Sequence, residues 1–324
     1  MLGVTGYRLL ASAGPRAAGA AELKDIRQDA QAMKRQVRAE RQQRRTQPQL
    51  PLFALPGLSG LISRLMAWLS PPAPPAAPSG GKTEFVVSSF NILGSQHTRG
   101  GKGGFASGVT RTGWALELLR QKRVDVVGFQ EMQADQAREF QRLGGKEYGL
   151  YPGNTLRPND VQNSIAWRKD TWDLVKGENH AMPFLDGMQR GNPVVLLRHK
   201  QTGEQVYVIN VHNAPRRPGG DQQQGQRDRA TDLQVALINR LKRSGIPVIL
   251  TGDMNEKQNY LRRMTQEADM TSANFGPIRK LPQRTGIDWI FGSDGVQFDA
   301  FHRENQGLAD KVTDHPVLFS RATI

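Results

Sequence analysis

The sequence contains no cysteine, which excludes disulfides, thiolate-zinc centres and thiol nucleophiles. It leaves the compartment open, because cysteine-free chains occur everywhere. Long apolar runs are also missing. The nearest candidate, 50–69, is interrupted by Pro51, Pro56, Gly57, Gly60 and Arg64, so no membrane-spanning helix is expected. Arg8 and Arg16 stand in the first twenty residues without an acid, and Ala18-Gly19-Ala20 precedes Ala21. The apolar stretch there is too short and broken for a signal peptide, so the location stays unknown, with the cytoplasm slightly favoured. No Gly-x-x-x-x-Gly-Lys-Ser/Thr loop is present, which argues against nucleotide-driven phosphoryl transfer.

What is present starts with size and charge. The 324 residues suit one large domain with appendages, or two ordinary domains. A hydrophobic content of 37% with five Trp supports a sizeable core, while 34 Gly and 19 Pro point to many loops. The net charge of +14 is uneven. Residues 1–82 hold twelve Lys/Arg against four Asp/Glu, and the rest holds thirty-two against twenty-six. A basic surface favours polyanions, either nucleic acid or an anionic membrane, without choosing between them.

The composition divides the chain into three parts. In the first, 1–69, Leu23, Ile26, Ala30, Met33 and Val37 recur at spacings of three and four. This seam spans barely two heptads, so 21–45 reads as a solvated helix with weak self-association as the sharper reading. Leu58, Leu61, Ile62, Leu65 and Leu69 mark one face of a second short amphipathic helix. Through it, residues 50–69 could meet an anionic membrane surface, a partner or the rest of the chain. The leader is thus expected to be largely helical or disordered, and basic. "SPPAPPAAPSGG" then begins a linker at 70–82, extended at its prolines and flexible at its glycines.

From 83 to 324 the pattern is that of a catalytic domain. Strands are expected at 85–92, 124–130, 164–167, 194–198, 206–211, 248–251, 287–291 and 317–320. Helices are expected near 112–122, 134–143, 227–243 and 256–267. Runs such as "DVVGFQ" and "PVILTG" are apolar on consecutive positions, as in strands buried on both faces. The expectation is an α/β (α+β) layered domain of sheets covered by helices.

Polar residues follow each of these runs. "FVVSSFN" ends at Asn91, "DVVGFQE" at Glu131, "VYVINVHN" at His212 and Asn213, and "PVILTGDMN" at Asp253 and Asn255. Asp288 opens "DWIFGS", and Asp314 and His315 precede the last strand. One such strand end is ordinarily an Asx turn. Six of them, rich in carboxylate and imidazole, suggest a site gathered at one rim. Carboxylates and amides without thiolates suit a hard cation, Mg²⁺ or Mn²⁺. A histidine beside a carboxylate can hold a proton or a phosphate oxygen. Together these groups suit in-line attack of water on phosphorus.

This ordered set of six motifs, spanning about 240 residues from Thr83 onward, resembles the endonuclease/exonuclease/phosphatase superfamily. That superfamily includes DNase I, exonuclease III-type endonucleases, neutral sphingomyelinases and inositol-polyphosphate 5-phosphatases. The resemblance implies a four-layer αββα sandwich of two packed mixed sheets flanked by helices, and a metal-dependent phosphoric ester hydrolase. It implies Glu131 as the principal Mg²⁺ ligand, with Asn91 and Asp314 in the metal shell. It implies that Asp253, steadied by Asn255, activates water, and that His315, paired with Asp288, binds the scissile phosphate while His212 donates a second hydrogen bond. Thr313 stands where Ser is commoner in such proteins, and its hydroxyl could make the same bond.

Three further residues are candidate substrate contacts: Asn163, Asn213 and Arg216. Two glycine-rich basic loops, 94–111 with Arg99, Lys102 and Arg111, and 214–226 with Arg216 and Arg217, flank the expected rim. The remaining histidines, His97, His180, His199 and His302, lack motif context and read as surface residues. The leading expectation is a nuclease acting on nucleic acid. The alternative is a phosphoesterase of phospholipid or inositol headgroups, and a catalytically inactive binding domain is the third reading.

Overall fold

A computed structural model describes residues 81–155, 162–216, 221–278 and 280–324. The expected leader helices, their self-association and membrane contacts, and most of the linker lie outside the described residues. No helix among the described residues is long and apolar enough to cross a membrane.

Two six-stranded mixed sheets pack face to face. The first runs in the order β11-β12-β1-β2-β4-β3 and the second β5-β6-β7-β8-β10-β9. The strands are β1 (Glu84–Asn91), β2 (Val126–Gln130), β3 (Tyr148–Tyr151), β4 (Ser164–Arg168), β5 (Trp172–Pro183), β6 (Gln189–His199), β7 (Gln205–His212), β8 (Val248–Asp253), β9 (Thr271–Ser272), β10 (Asp288–Gly292), β11 (Gln297–Glu304) and β12 (Val317–Thr323). The helices are α1 (Gly108–Gln121), α2 (Ala134–Gly144), α3 (Gln224–Lys242), α4 (Gln258–Glu267) and the short α5 (Leu308–Val312). Helices thus cover both outer faces, and the chain is an α/β sandwich of four layers.

All eight expected strands are present, each a central strand or one beside an edge. The four that the sequence pattern missed, β3, β5, β9 and β11, are the four sheet edges. Their side chains are the least buried. β11 has no fully buried residue, and β5 carries Lys176, Glu178 and His180 on its length. An edge strand exposes one backbone edge and much of its surface, and its charged side chains blunt pairing with other chains. The apolar run that marks a central strand is therefore absent.

Three apolar layers hold the sandwich. Phe90, Phe129, Leu116, Leu119 and Phe140 pack the first sheet on α1 and α2. Ile209, Leu250, Trp289, Phe291 and Ile238 do the same for the second sheet. Between the sheets lie Phe85, Val87, Val126, Val208, Ile249 and Ile290. Because side chains alternate faces, residues two apart continue along this inner face.

Polarity changes along that face. After the apolar rows come Ser89, Gln130, Asn210 and Thr251, all buried. Gln130 Nε2 and Thr251 Oγ1 donate to Asn210 Oδ1 at 2.6 and 3.1 Å, while Asn210 Nδ2 donates to the Phe129 carbonyl at 2.7 Å. This network stitches the two sheets together and satisfies groups that would be costly to bury alone. Gly128 makes room for it: a Cβ there would lie 2.0 Å from Thr251 Oγ1 and 2.5 Å from Asn210 Oδ1. One step further the same rows end in Asn91, His212, Asp253 and Asp288.

Candidate active site

Strand register assembles this rim. β7 and β8 run parallel with His212 opposite Asp253, and antiparallel β10 places Asp288 opposite Asp253 from the other side. From the facing sheet, Asn91 ends β1 and Glu131 follows β2. The backbone turns sharply there: Leu93, Glu131 and Asn255 have φ of 56°, 61° and 50°. This left-handed region costs a non-glycine residue roughly 1 kcal/mol or more, and it recurs at the ends of β1, β2 and β8, though not where His212, Asp288 and His315 are delivered.

Asn91 bridges the sheets. Its Nδ2 donates to Glu131 Oε1 and to Asp253 Oδ2, both at 3.2 Å, and its Oδ1 accepts from the Leu93 amide. The Thr313 hydroxyl donates to the Asn91 carbonyl at 2.7 Å and accepts from the His315 amide at 3.1 Å. Thr313 thereby ties the last motif to the first. His315 Nδ1 lies 3.0 and 3.1 Å from the two Asp288 carboxylate oxygens and 3.8 Å from Asp253 Oδ2.

Burial alone would lower the His315 imidazole, but the hydrogen bond and charge of Asp288, helped by Asp253, raise it to about 10. Burial, and then the neighbouring Asp288, push the Asp253 carboxyl up to about 7. His212 differs. Burial, with Arg190 beside it, lowers its imidazole to about 3. For Glu131, burial opposes ionisation, yet the hydrogen bonds from the Gly94 amide and Asn91 Nδ2 help hold its carboxyl below the ordinary value.

The expected residues are not equal in position. Asn91, Glu131, His212, Asp253, Asp288 and His315 form one connected cluster. Asn255 touches it through its backbone: its amide donates to Asp253 Oδ1 at 2.9 Å, whereas its side-chain amide donates to the Asn213 carbonyl. The Asx turn and the site thus coexist. Asp314 is exposed and lines a cavity of about 340 Å³ with Leu93, His97, Thr98, Lys102, Gly103, Phe105 and Glu131.

The three candidate substrate contacts need correction or restriction. Asn163 is fully buried and donates to the Gly191 carbonyl and to Asn192 Oδ1 at 3.1 Å each. Asn213 is buried, its Oδ1 accepting from Gln234 of α3. Both are packed behind the rim, each with one side-chain amide atom, Asn163 Oδ1 and Asn213 Nδ2, that has no partner among the described residues. Arg216 remains exposed, with Nε 3.2 Å from Asp221. Arg111, expected to meet phosphates, is wholly buried and donates to the carbonyls of Ile92, Leu93 and Val312. It fastens the chain behind Asn91 to the segment before Asp314, so it is a structural clamp. His199 is likewise buried, edge-on to Trp172, contrary to its reading as a surface residue.

Two site neighbours carried no usable sequence signal. His97 Nε2 lies 3.4 Å from Glu131 Oε2. Arg190, in "MQRGN" at the start of β6, has Nη1 2.9 Å from His212 Nδ1. Neither ends an apolar run, and only the folded sheet brings them to the rim.

Two donor groups compete to hold a cation. Asp253, Asp288 and His315 present ligand atoms within 4.8 Å of one another. That cluster already contains a positive charge, the imidazolium of His315, locked to Asp288. The Glu131 carboxylate instead stays ionised and opens onto the cavity shared with Asp314 and His97. A divalent ion with oxygen-rich ligands and remaining waters fits this second place.

Comparison with other proteins agrees with this architecture. The Endonuclease/Exonuclease/phosphatase family matches residues 88–315, and the chain belongs to that family. Membership makes it a metal-dependent phosphoric ester hydrolase. No curated protein matches the chain. Among solved structures it is similar to the human Nocturnin catalytic domain with bound sulfate anion, at 16% identity and a TM-score of 0.59, covering 75% of this chain and 96% of that one. It is similar to a Bacteroides thetaiotaomicron mannosyl-6-phosphatase at 18% identity and 0.56, covering 74% and 100%. It is also similar to D. rerio TDP2 complexed with single strand DNA product, at 15% identity and 0.55, covering 74% and 99%. At these identities the likeness is one of fold.

Proposed function

We propose that the protein is a Mg²⁺- or Mn²⁺-dependent phosphodiesterase that hydrolyses nucleic acid by in-line attack of water. The observation that carries this reading is the unbroken chain of contacts from Glu131 through Asn91 to Asp253, and from Asp253 to His315 and Asp288. It sets an ionised carboxylate, a base and a charged donor around one space.

In this reading Asp253, whose carboxyl titrates near neutrality, takes the proton of the attacking water as the new P–O bond forms. The His315 imidazolium, held by Asp288, donates to a phosphoryl oxygen and stabilises the charge that gathers as the old ester bond breaks. His212 donates a second hydrogen bond. Asn255 fixes the Asp253 carboxylate through its amide. Glu131, with Asp314 and Asn91 beside it, would hold the cation, which when bound polarises the phosphoryl oxygen.

Nucleic acid is favoured by the net charge of +14 and by the loop beside Glu131. There Gly100, Gly101, Gly103 and Gly104 all have positive φ, so the backbone can approach a substrate closely around the exposed Arg99 and Lys102. The likeness to a TDP2 complexed with a DNA product supports the same choice.

The test is a panel assay of the full chain with Mg²⁺, with EDTA as metal removal. It uses plasmid, single-stranded DNA, RNA, abasic duplex, sphingomyelin, a phosphoinositide and a sugar phosphate, with His315→Ala as control. Cleavage of a nucleic acid that EDTA and His315→Ala both stop is expected. Hydrolysis of only the lipid or sugar substrates would overturn the choice of substrate, and activity unaffected by EDTA would overturn the metal.

A further inference from the structure

Arg190 has no role in the chemistry described so far, yet it sits at the centre of the rim. Its guanidinium lies 3.6 Å from the centroid of the Phe184 ring, and that same ring meets the His212 imidazole edge-on at 5.7 Å. Arg190 Nη1 is 2.9 Å from His212 Nδ1. No carboxylate among the described residues forms an ion pair with Arg190, although Glu131 and Asp253 lie near enough to favour its charge. Its immediate contacts are thus an aromatic face and an imidazole.

A guanidinium carries five N–H donors and no lone pair to offer. The contact with His212 therefore has one possible direction: Arg190 donates and Nδ1 accepts. An imidazole that accepts at Nδ1 holds its single proton at Nε2. His212 Nε2 lies 3.6 Å from Asp253 Oδ2, on the side of the rim where the water-activating carboxylate stands. His315 is arranged the other way, with its Nδ1 facing the Asp288 carboxylate, which can only accept.

We infer that Arg190 is a positioning residue that fixes the His212 proton on Nε2, so that His212 serves as a neutral hydrogen-bond donor to the phosphate and not as an acid. This rests on the phosphodiesterase reading for what His212 does, but the proton's location belongs to the protein alone. The Phe184 ring packs against the guanidinium and touches the imidazole edge-on, so it braces both partners of the contact. The imidazole is left with one donor, on the side of Asp253, and no tautomer to choose.

The experiment reads the tautomer directly. In the ¹⁵N-labelled full chain, without metal or substrate, long-range ¹H–¹⁵N correlation is expected to show His212 with a protonated Nε2 and a lone-pair Nδ1 at neutral pH. Arg190→Met removes the donor and keeps an apolar stem for Phe184. It is expected to give a mixture of tautomers and a fall in kcat of about threefold to tenfold, set by the fraction left in the Nε2–H form, with little change in KM. Arg190→Lys, again a donor without a lone pair, is expected to restore the Nε2–H form and most of kcat. A wild-type His212 that is doubly protonated or carries its proton on Nδ1 would overturn the inference, as would an unchanged tautomer in a folded Arg190→Met. If Arg190→Met does not fold, the wild-type and Arg190→Lys spectra decide alone. An enzyme inactive on every nucleic acid would undo the proposed function while leaving the spectra to decide this point.

Discussion

His212 and His315 flank the same carboxylate, with ring nitrogens 3.6 and 3.8 Å from Asp253 Oδ2, yet their environments push them in opposite directions. His315 is held by the Asp288 carboxylate and its imidazole is raised to about 10. His212 is wrapped by Arg190 and Phe184 and lowered to about 3 by burial and that positive neighbour. On the proposed function, one residue type would therefore supply a charged donor on one side of the base and a neutral donor on the other. The partner at Nδ1, anion or cation, makes the difference.

The contrast is broken most severely at its charged side. His315→Ala is expected to lower kcat by about a thousandfold, since it removes the donor to the developing charge; single-turnover rates check this. Asp288→Asn keeps the shape but removes the anion. It should cost about a hundredfold in kcat, and NMR titration should show His315 falling from about 10 toward the ordinary histidine range. His212→Gln retains a donor without the ring and is expected to cost about tenfold, the smallest of the three rate effects. A loss at His212 larger than that at His315 would reverse the assignment of charged and neutral roles.

Stability should carry the same signature. A histidine whose folded value is raised contributes stability that is fully present below its unfolded value, near 6.5, and lost as pH rises through about 10. Urea unfolding of wild type should therefore lose stability between about pH 6.5 and 10, relative to His315→Asn. Parallel curves would show that the Asp288 pair does not stabilise the fold. Arg111→Met sharpens the comparison from outside the rim. It leaves the carbonyls of Ile92, Leu93 and Val312 without their donor, with an expected loss of about 3 kcal/mol in chemical denaturation. KM should stay within about threefold, as befits a clamp that does not touch substrate.

Much of the rim was legible before folding because of alternation. Asp253 and Asn91 stand at the ends of runs apolar enough to mark a buried strand, so their polarity was conspicuous. Asp288 and His315 were visible for the same reason at strand starts. Asn163 and Asn213 gave the same signal but are buried and bonded to neighbouring segments, because a polar residue beside a rim can face the supporting helices and strands as readily as the cleft. Arg111 misled in the opposite sense. In sequence it belongs to a glycine-rich basic loop, whereas in the fold it is the buried start of α1, surrounded by carbonyls. Arg190 and His97 gave no sign at all. The four edge strands failed for a related reason, since strands half in water lack the run of apolar residues that pattern reading depends on.

Which segments become central strands, and which residue types end them, is written in the order of the amino acids, and with it the meeting of acids, amides and imidazoles at one rim. That much follows from the two-residue period of a strand and the cost of burying unpaired polar groups. Who partners whom is settled on folding. Asp288 meets His315 and Arg190 meets His212 through register and through packing between segments far apart in the chain. The charge on an imidazole depends on that neighbour, which no local pattern encodes.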